Sequence, residues 1–172
     1  MATKKFIEIK IPLLDLIVEV PSIGSIDGKT IKLDLTRILK GKSVEIIFIV
    51  DGKENKAYPK KLRLFQFYVK RLVRKGTSYV EDSFPCKTKN GILRVKPLLV
   101  TRKRVSRSIR KSLRNKAREL IEKYFKEKTK DDIFSSVLYG KLQKDILPEL
   151  KKIYPLAVCE IRVIEPERKH IF

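Results

Sequence analysis

One stretch of the sequence, residues 92–126, reads ILRVKPLLVTRKRVSRSIRKSLRNKARELIEKYFK and changes its period part of the way along. Its first nine residues alternate, with Leu93 on one side and Arg94 on the other, which is typical of a strand. From Lys103 to about Lys126, apolar residues recur at the spacing of one helical face. The stretch therefore predicts a strand that leads directly into a long amphipathic helix.

The same stretch is strongly basic. Residues 94–118 contain eleven Lys and Arg and no acidic residue. A helical face that only contacts water usually mixes both signs, because like charges four residues apart repel each other. Here Arg107 and Lys111 form such a like pair, and so do Arg110 and Arg114. A solvated face is the alternative interpretation, but the repulsion favours a surface that binds a polyanion.

The charge of the whole chain is concentrated around this stretch. Residues 55–118 carry 21 basic side chains and two acidic ones, Glu81 and Asp82, so they account for +19 of the formal net charge of +21. The other 108 residues are nearly neutral, with 20 basic and 18 acidic side chains. A field of this size indicates a nucleic acid as the partner.

The first part of the chain is rich in short strands with local turns. Alternating or β-branched runs predict strands at Phe6–Ile11, Leu13–Val20, Lys29–Leu35, Val44–Val50, Lys56–Leu64, Thr77–Thr88 and Ile92–Val100. Asn90-Gly91 predicts a type I′ hairpin turn, and Pro97 predicts that the last of these strands lies at an edge or bends. The pattern favours an α+β fold built on an antiparallel β-barrel.

Helices are predicted around and after these strands. Phe65, Val69, Leu72 and Val73 share a helical face that would end before Gly76. Asp131 or Asp132 is expected to cap a short helix. A further helix at residues 142–154 should break or kink at Pro148.

A final strand is predicted at Val158–Glu165. We expect one domain, in which residues 1–101 form mainly the barrel with one helix, residues 102–156 are helical and residues 157–165 form the last strand.

The candidate RNA-binding side chains fall into two basic patches. Arginine is frequent in them, and its planar fork grips phosphate through two hydrogen bonds. Phe67, on the basic side of the first helix, is a candidate to stack on a base or to pack beneath a neighbouring loop. The predicted RNA-binding residues are Lys60, Arg63, Lys70, Arg71, Arg74 and Lys75 in one patch and Arg94, Lys96, Arg102, Lys103, Arg104, Arg107, Arg110, Lys111 and Arg114 in the other.

Several functional classes are disfavoured by the sequence. The chain has no apolar run long enough to span a membrane, and its N-terminus has no signal-peptide pattern. Cys86 and Cys159 form no CxxC pair, which favours a reducing, cytosolic setting without a zinc site. No phosphate-binding loop, HExxH motif or Ser–His–acid set is present. We therefore predict no catalytic residue, no cofactor, no metal and no small-molecule substrate.

The nature of the nucleic acid follows from how the charge is spread. No zinc finger, zipper or other DNA-docking motif is present. Basic residues on two helices and a strand suit an irregular folded RNA better than the groove of DNA. A metal-dependent nuclease would need clustered carboxylates, for which Asp51 with Glu54 and Glu81 with Asp82 are the candidate pairs.

Several motifs are similar to those of a known family. They are RVKPLLVTRKR at residues 94–104, FSSVLYGKL at 134–142, KKIYPL at 151–156 with EIR at 160–162, and YVKRLVR at 68–74 with the acidic pair beyond it. In combination they resemble the archaeal and eukaryotic small-ribosomal-subunit protein one family, also called S-three-a. The eukaryotic C-terminal extension is missing, so the chain looks archaeal in type.

This resemblance implies a location and a set of partners. The family resemblance implies a β-barrel with attached helices on the platform of the small ribosomal subunit, near the messenger RNA exit. It implies contacts with the central and 3′ domains of small-subunit ribosomal RNA and with neighbouring platform proteins. We thus expect a cytoplasmic, non-enzymatic ribosomal protein. The main alternative is a stand-alone RNA chaperone or RNA-processing factor.

Overall fold

The computed structural model describes residues 6–21, 26–39 and 41–167. Within these ranges the fold is α+β, as predicted, with nine strands and four helices. The elements are β1 Phe6–Ile11, β2 Leu16–Pro21, β3 Thr30–Asp34, β4 Val44–Asp51, β5 Lys56–Leu64, α1 Gln66–Leu72, β6 Tyr79–Glu81, β7 Phe84–Thr88, β8 Gly91–Thr101, α2 Arg107–Lys126, α3 Lys130–Leu138, α4 Lys141–Lys151 and β9 Leu156–Pro166.

The strands form one branched sheet. Its main path runs β2-β1-β5-β9-β8-β6. Off this path, β4 pairs with β5, β3 pairs with β4, and β7 pairs with β8. All pairs are antiparallel except the single contact of β1 with β5. The predicted closed barrel is not confirmed, since the described strands leave the path open from β2 to β6. The last strand, β9, lies between β5 and β8 and so joins the two parts of the sheet.

β8 lies inside the sheet and not at its edge. It pairs with β9 on one side and with β6 and β7 on the other. The register with β9 shifts between Lys96 and Pro97, so the proline sits at a bulge, where its missing N–H costs little. Leu93 and Val95 are buried while Arg94 and Lys96 are half-buried on the other face. The predicted alternation and the predicted bend are therefore confirmed, and the edge position is wrong.

The single strand predicted over residues 77–88 is two strands. Asp82 and Ser83 separate β6 from β7, and the carboxylate of Asp82 accepts a hydrogen bond from the backbone N–H of Ser83 at 2.9 Å. The β7–β8 hairpin is confirmed, but Thr88 pairs with Gly91, so the turn residues are Lys89 and Asn90. A type I′ turn needs positive φ at both of its central residues. Among the described residues other than glycine, positive φ occurs at Asp15 and Asn55, so the turn at Lys89 and Asn90 is not type I′.

The long helix begins later than predicted. Thr101 holds the segment that precedes it, because its hydroxyl lies 2.9 Å from the carbonyl oxygen of Ser78 and 2.6 Å from that of Lys103. α2 therefore starts at Arg107 and not at Lys103. Its buried side chains are Leu113, Ala117, Ile121 and Phe125, and they pack toward β6, β7 and α4.

The other helix ends also differ in detail. α1 ends at Leu72, four residues before Gly76. The cap of α3 is Thr129, whose side chain accepts a hydrogen bond from the backbone N–H of Asp132, while its own hydroxyl donates to the Asp132 carboxylate. This reciprocal arrangement resembles a capping box. α4 contains Pro148 and continues past it to Lys151. Among the described helices, none has the length and apolarity to cross a membrane.

Candidate nucleic-acid interface

The N-terminal half of α2 presents the strongest basic surface. Its buried side chains face the sheet, and Arg107, Arg110, Lys111 and Arg114 lie on the adjoining side of the helix. Arg107, Lys111 and Arg114 are exposed and Arg110 is half-buried. We call these four residues the α2 basic cluster. The predicted second patch contributes no residue to this cluster.

The α2 basic cluster lines an open groove of about 450 Å³, together with Tyr79 of β6 and with Asn115. Arg110 and Arg114 also border an adjoining groove of about 350 Å³, on whose other side lie Thr77, Ser78, Tyr79 and Glu81. The two grooves share Tyr79 and two arginines, so they form a continuous basic surface between α2 and β6.

The charges of this cluster have no counterions in the described part of the chain. None of the four residues forms an ion pair there. The first turn of α2 contains no acid, and Ser106 at the N-cap makes no capping hydrogen bond through its side chain. Because the N-terminus of a helix already carries partial positive charge, cations here are unfavourable without a bound anion. The site is therefore suited to phosphate.

Arg110 differs from the other three residues of the cluster because it is half-buried. Its Nε atom is buried and has no hydrogen-bond partner among the described residues. A buried donor without a partner costs free energy. Arg110 borders both grooves, so an acceptor bound there would lie beside this residue.

Further along α2 the basic residues find acidic partners. Lys116 Nζ lies 3.0 Å from Glu119, and Arg118 Nε lies 2.9 Å from Glu122. The guanidinium of Arg118 also lies over the ring of Phe84, 5.3 Å from its centroid. The second half of the helix therefore has an ordinary surface with both signs, and the change occurs after Arg114.

The predicted RNA-binding residues on the strands also form ion pairs. Arg94 donates two hydrogen bonds to Glu167, at 2.6 and 3.0 Å. Lys96 Nζ lies 3.1 Å from Glu165, and Arg63 pairs with Glu45. Lys61, on β5, contacts the same Glu165 at 2.6 Å, and this contact contributes most to holding the pKa of Glu165 below its ordinary value. The acidic partners are Glu45 on β4, Glu165 on β9 and Glu167 just after β9.

The predicted second patch does not form one surface. Lys60 is the extra residue of a bulge in β5, since Phe48 pairs with Pro59 and Ile47 pairs with Lys61. It lines a different cavity, beside Lys130 of α3. The residues Lys70, Arg71, Arg74 and Lys75 are exposed on or just after α1.

The segment after α1 does approach the grooves. The side chain of Thr77 donates a hydrogen bond to the carbonyl oxygen of Arg74 at 2.7 Å, and Thr77 borders the smaller groove. Arg74 and Lys75 therefore lie close in the chain to the surface formed by α2. Arg102, Lys103 and Arg104 are exposed in the segment between β8 and α2.

Phe67 and Tyr79 are two exposed aromatic side chains near basic residues. Phe67, predicted as a base-stacking candidate, is 58% exposed, and its ring stacks on Phe65 at 5.4 Å between centroids. Tyr79 was not among the predicted residues, yet it is 57% exposed and lies in the groove with the cluster. The signal that could have found it is the alternation of β6, in which Val80 is buried and Tyr79 faces outward.

The acidic pairs considered for a nuclease are held by other groups. Both oxygens of Glu81 lie 2.9 Å from Arg162, and Glu54 lies 2.9 Å from Lys56. Over residues 6–21, 26–39 and 41–167, no group of three or more His, Cys, Asp and Glu is placed to hold a metal ion. Burial raises the pKa of both Cys86 and Cys159 to about 12, so their thiols stay protonated at neutral pH.

The comparisons with known proteins agree with the motifs. Residues 25–169 match the family described as the ribosomal S3Ae family. The proteins called small ribosomal subunit protein eS1 from Methanothermobacter thermautotrophicus and Nanoarchaeum equitans are 36% identical over 102 residues and 27% identical over 153 residues. The match covers 57% of this chain and 52% of the first relative, and 84% of this chain and 77% of the second.

A third group of relatives gives the same result. The protein of that name from Saccharolobus islandicus is 37% identical over 95 residues, which is 55% of this chain and 46% of the relative. The chain thus spans about half the length of two of these three curated relatives. The three relatives are archaeal proteins, in agreement with the archaeal type predicted for this chain. On the family match, which covers most of its length, the chain belongs to the ribosomal S3Ae family.

Proposed function

We propose that this protein is a structural constituent of the small ribosomal subunit and that it binds ribosomal RNA through the α2 basic cluster. It acts as one RNA-binding domain and is not an enzyme. The observation that carries the RNA contact is the set of four basic side chains that line one groove without counterions in the described chain. Membership of the S3Ae family and the names of its relatives support the ribosomal role.

The finer location follows from the family resemblance. In this proposal the protein sits on the platform near the messenger RNA exit, in the cytoplasm, and contacts neighbouring platform proteins as well as RNA. The exposed basic residues after α1 and before α2, such as Arg74 and Arg104, extend the RNA-binding surface on both sides of the cluster. Arg63, Arg94 and Lys96 contribute less, because their carboxylate partners already satisfy them.

The test combines assembly with salt dependence. We expect the triple variant Arg107→Glu, Arg110→Glu and Arg114→Glu to fold as well as the parent, since it removes like-charge repulsion along the helix. It should fail to co-sediment with small subunits through a high-salt wash, because it places acids against phosphate. Binding of the parent to structured RNA should weaken by roughly 0.7–0.9 log units per log unit of salt for each phosphate contact.

A matched control uses exposed lysines elsewhere. The variant with Lys123, Lys126 and Lys144 changed to Glu alters the net charge by the same amount and should assemble like the parent. If the α2 variant assembles normally while remaining folded, the cluster is a solvated face and the proposal is wrong. If the parent binds RNA almost independently of salt, phosphate contact is not the basis of binding.

A further inference from the structure

We infer that the groove between α2 and β6 holds a single unpaired nucleotide, with its base stacked on Tyr79 and its phosphate bound by Arg110 and Arg114. This inference rests on the proposed RNA-binding function and assigns one feature of the RNA to one place on the protein. It concerns how the site distinguishes a bulged or looped nucleotide from a regular duplex.

The first support is the position of the aromatic ring. Tyr79 is 57% exposed although it lies within a strand, and it borders both grooves together with Arg110 and Arg114. An aromatic face offers stacking to any base, and a neighbouring arginine supplies phosphate contact or further stacking. The combination is the one by which proteins bind unstacked nucleotides, whereas a continuous duplex shields the faces of its bases.

The second support is that the ring is held on a fixed backbone. Tyr79 pairs with Val100 of β8. Its neighbour Ser78 donates its backbone N–H to the hydroxyl of Thr101 at 3.0 Å and accepts a hydrogen bond from the N–H of Val105 at 3.2 Å. These bonds tie the backbone of β6 to the segment that leads into α2, so Tyr79 lies on a fixed backbone beside the helix.

The third support is electrostatic. Glu81 is the one acid among the residues that line the two grooves, and Arg162 contacts both of its oxygens at 2.9 Å. Its charge is therefore compensated before RNA binds. The larger groove, at about 450 Å³, falls within the size range of small-ligand sites.

The experiment compares two RNAs that differ in one nucleotide. The full chain is titrated with a blunt-ended, fully paired RNA duplex of two strands and with the same duplex carrying one bulged adenosine. We expect the parent to bind the bulged RNA roughly 10-fold more tightly, as stacking of one base provides. Tyr79→Ala should abolish this preference, and Tyr79→Phe should retain it.

The controls separate this inference from the broader proposal. Tyr139 is similarly exposed at 55% but lies at the end of α3, so Tyr139→Ala should keep the preference. Thermal melting checks that each variant is folded. If the parent binds both duplexes equally with strong salt dependence, the nucleotide site is refuted and the RNA-binding function stands. If the parent binds neither RNA, both ideas fail.

Discussion

Two basic regions of this molecule are alike in composition and differ in what surrounds them. On the sheet, Arg63, Arg94 and Lys96 each contact a carboxylate from a neighbouring strand or from the end of β9. On α2, Arg107, Arg110 and Arg114 have no carboxylate partner in the described chain. The density of basic residues along a sequence therefore does not measure the charge that is free to bind RNA. The free charge depends on which acids the fold brings close.

The largest expected effect tests this difference directly. Two triple variants each remove three positive charges, one at Arg107, Arg110 and Arg114 and the other at Arg63, Arg94 and Lys96, with Gln at every position. The α2 variant should lose affinity for structured RNA on the order of 100-fold at about 0.1 M salt, because three phosphate contacts are lost. The slope of log affinity against log salt concentration should become shallower by roughly 2–3.

The sheet variant should behave in the opposite way. It breaks three ion pairs, so its melting temperature should fall, while its RNA affinity at temperatures below melting should fall less than roughly 10-fold. Titrations at several salt concentrations and thermal melting provide both readouts. Equal losses of affinity in the two variants would show that pairing within the protein does not decide which arginines bind RNA.

A second test separates the two faces of α2. Leu113 is fully buried beneath the basic cluster, so Leu113→Ala should lower the free energy of unfolding by about 3 kcal/mol. Ile109 is only half-buried, and Ile109→Ala should cost about 1 kcal/mol. Chemical denaturation measures both. RNA affinity of the folded Leu113→Ala protein should match the parent, and a large loss would mean that the two faces are not independent.

The smallest expected effect is the contribution of Glu165 on the sheet to stability, and it depends on pH. Lys61 and Lys96 hold the pKa of Glu165 below its ordinary value. The carboxylate therefore stabilises the fold above the ordinary pKa of glutamate, and this stabilisation is lost as the pH falls through the lowered value. Glu165→Gln should cost about 1 kcal/mol at neutral pH and almost nothing in acid.

The control for this variant is Glu119→Gln. Glu119 is largely exposed and pairs with Lys116 on the surface of α2. Its replacement should change stability little at any pH. Denaturation curves measured at neutral and acid pH for both variants give the comparison. A cost for Glu165→Gln that persists unchanged in acid would show that the ion pairs with Lys61 and Lys96 are not its source.

Much of the fold followed from local patterns. The strand positions of β1, β5 and β8 and the course of α2 come from periodicity, which each segment carries by itself. The order of strands does not, because nothing local states that β9 inserts between β5 and β8. Because strand order depends on contacts between distant residues, the sequence allowed both a bend and an edge position at Pro97, where the structure has a bulge inside the sheet. The same lack of long-range information led to the prediction of a barrel in place of a branched open sheet.

The candidate site also has features that the local sequence predicts and features that only the fold brings together. The cluster on α2 was predictable, since all its members share one helical face. The pairing of Arg94 with Glu167 was not, because these residues are 73 positions apart in sequence. Tyr79 was missed because a single outward-facing aromatic in a three-residue strand gives a weak signal, and only the packing of α2 against β6 makes it part of a groove.

The position of β9 has a consequence for synthesis. Ribosomes make chains from the N-terminus, so β9 emerges after every other described element, yet it is the strand that connects β5 to β8. Without β9, the other described strands are not joined into one sheet, and Arg94 and Lys96 have no contact with Glu167 and Glu165. We therefore expect the last strand to complete the sheet and to neutralise these two charges at the end of synthesis.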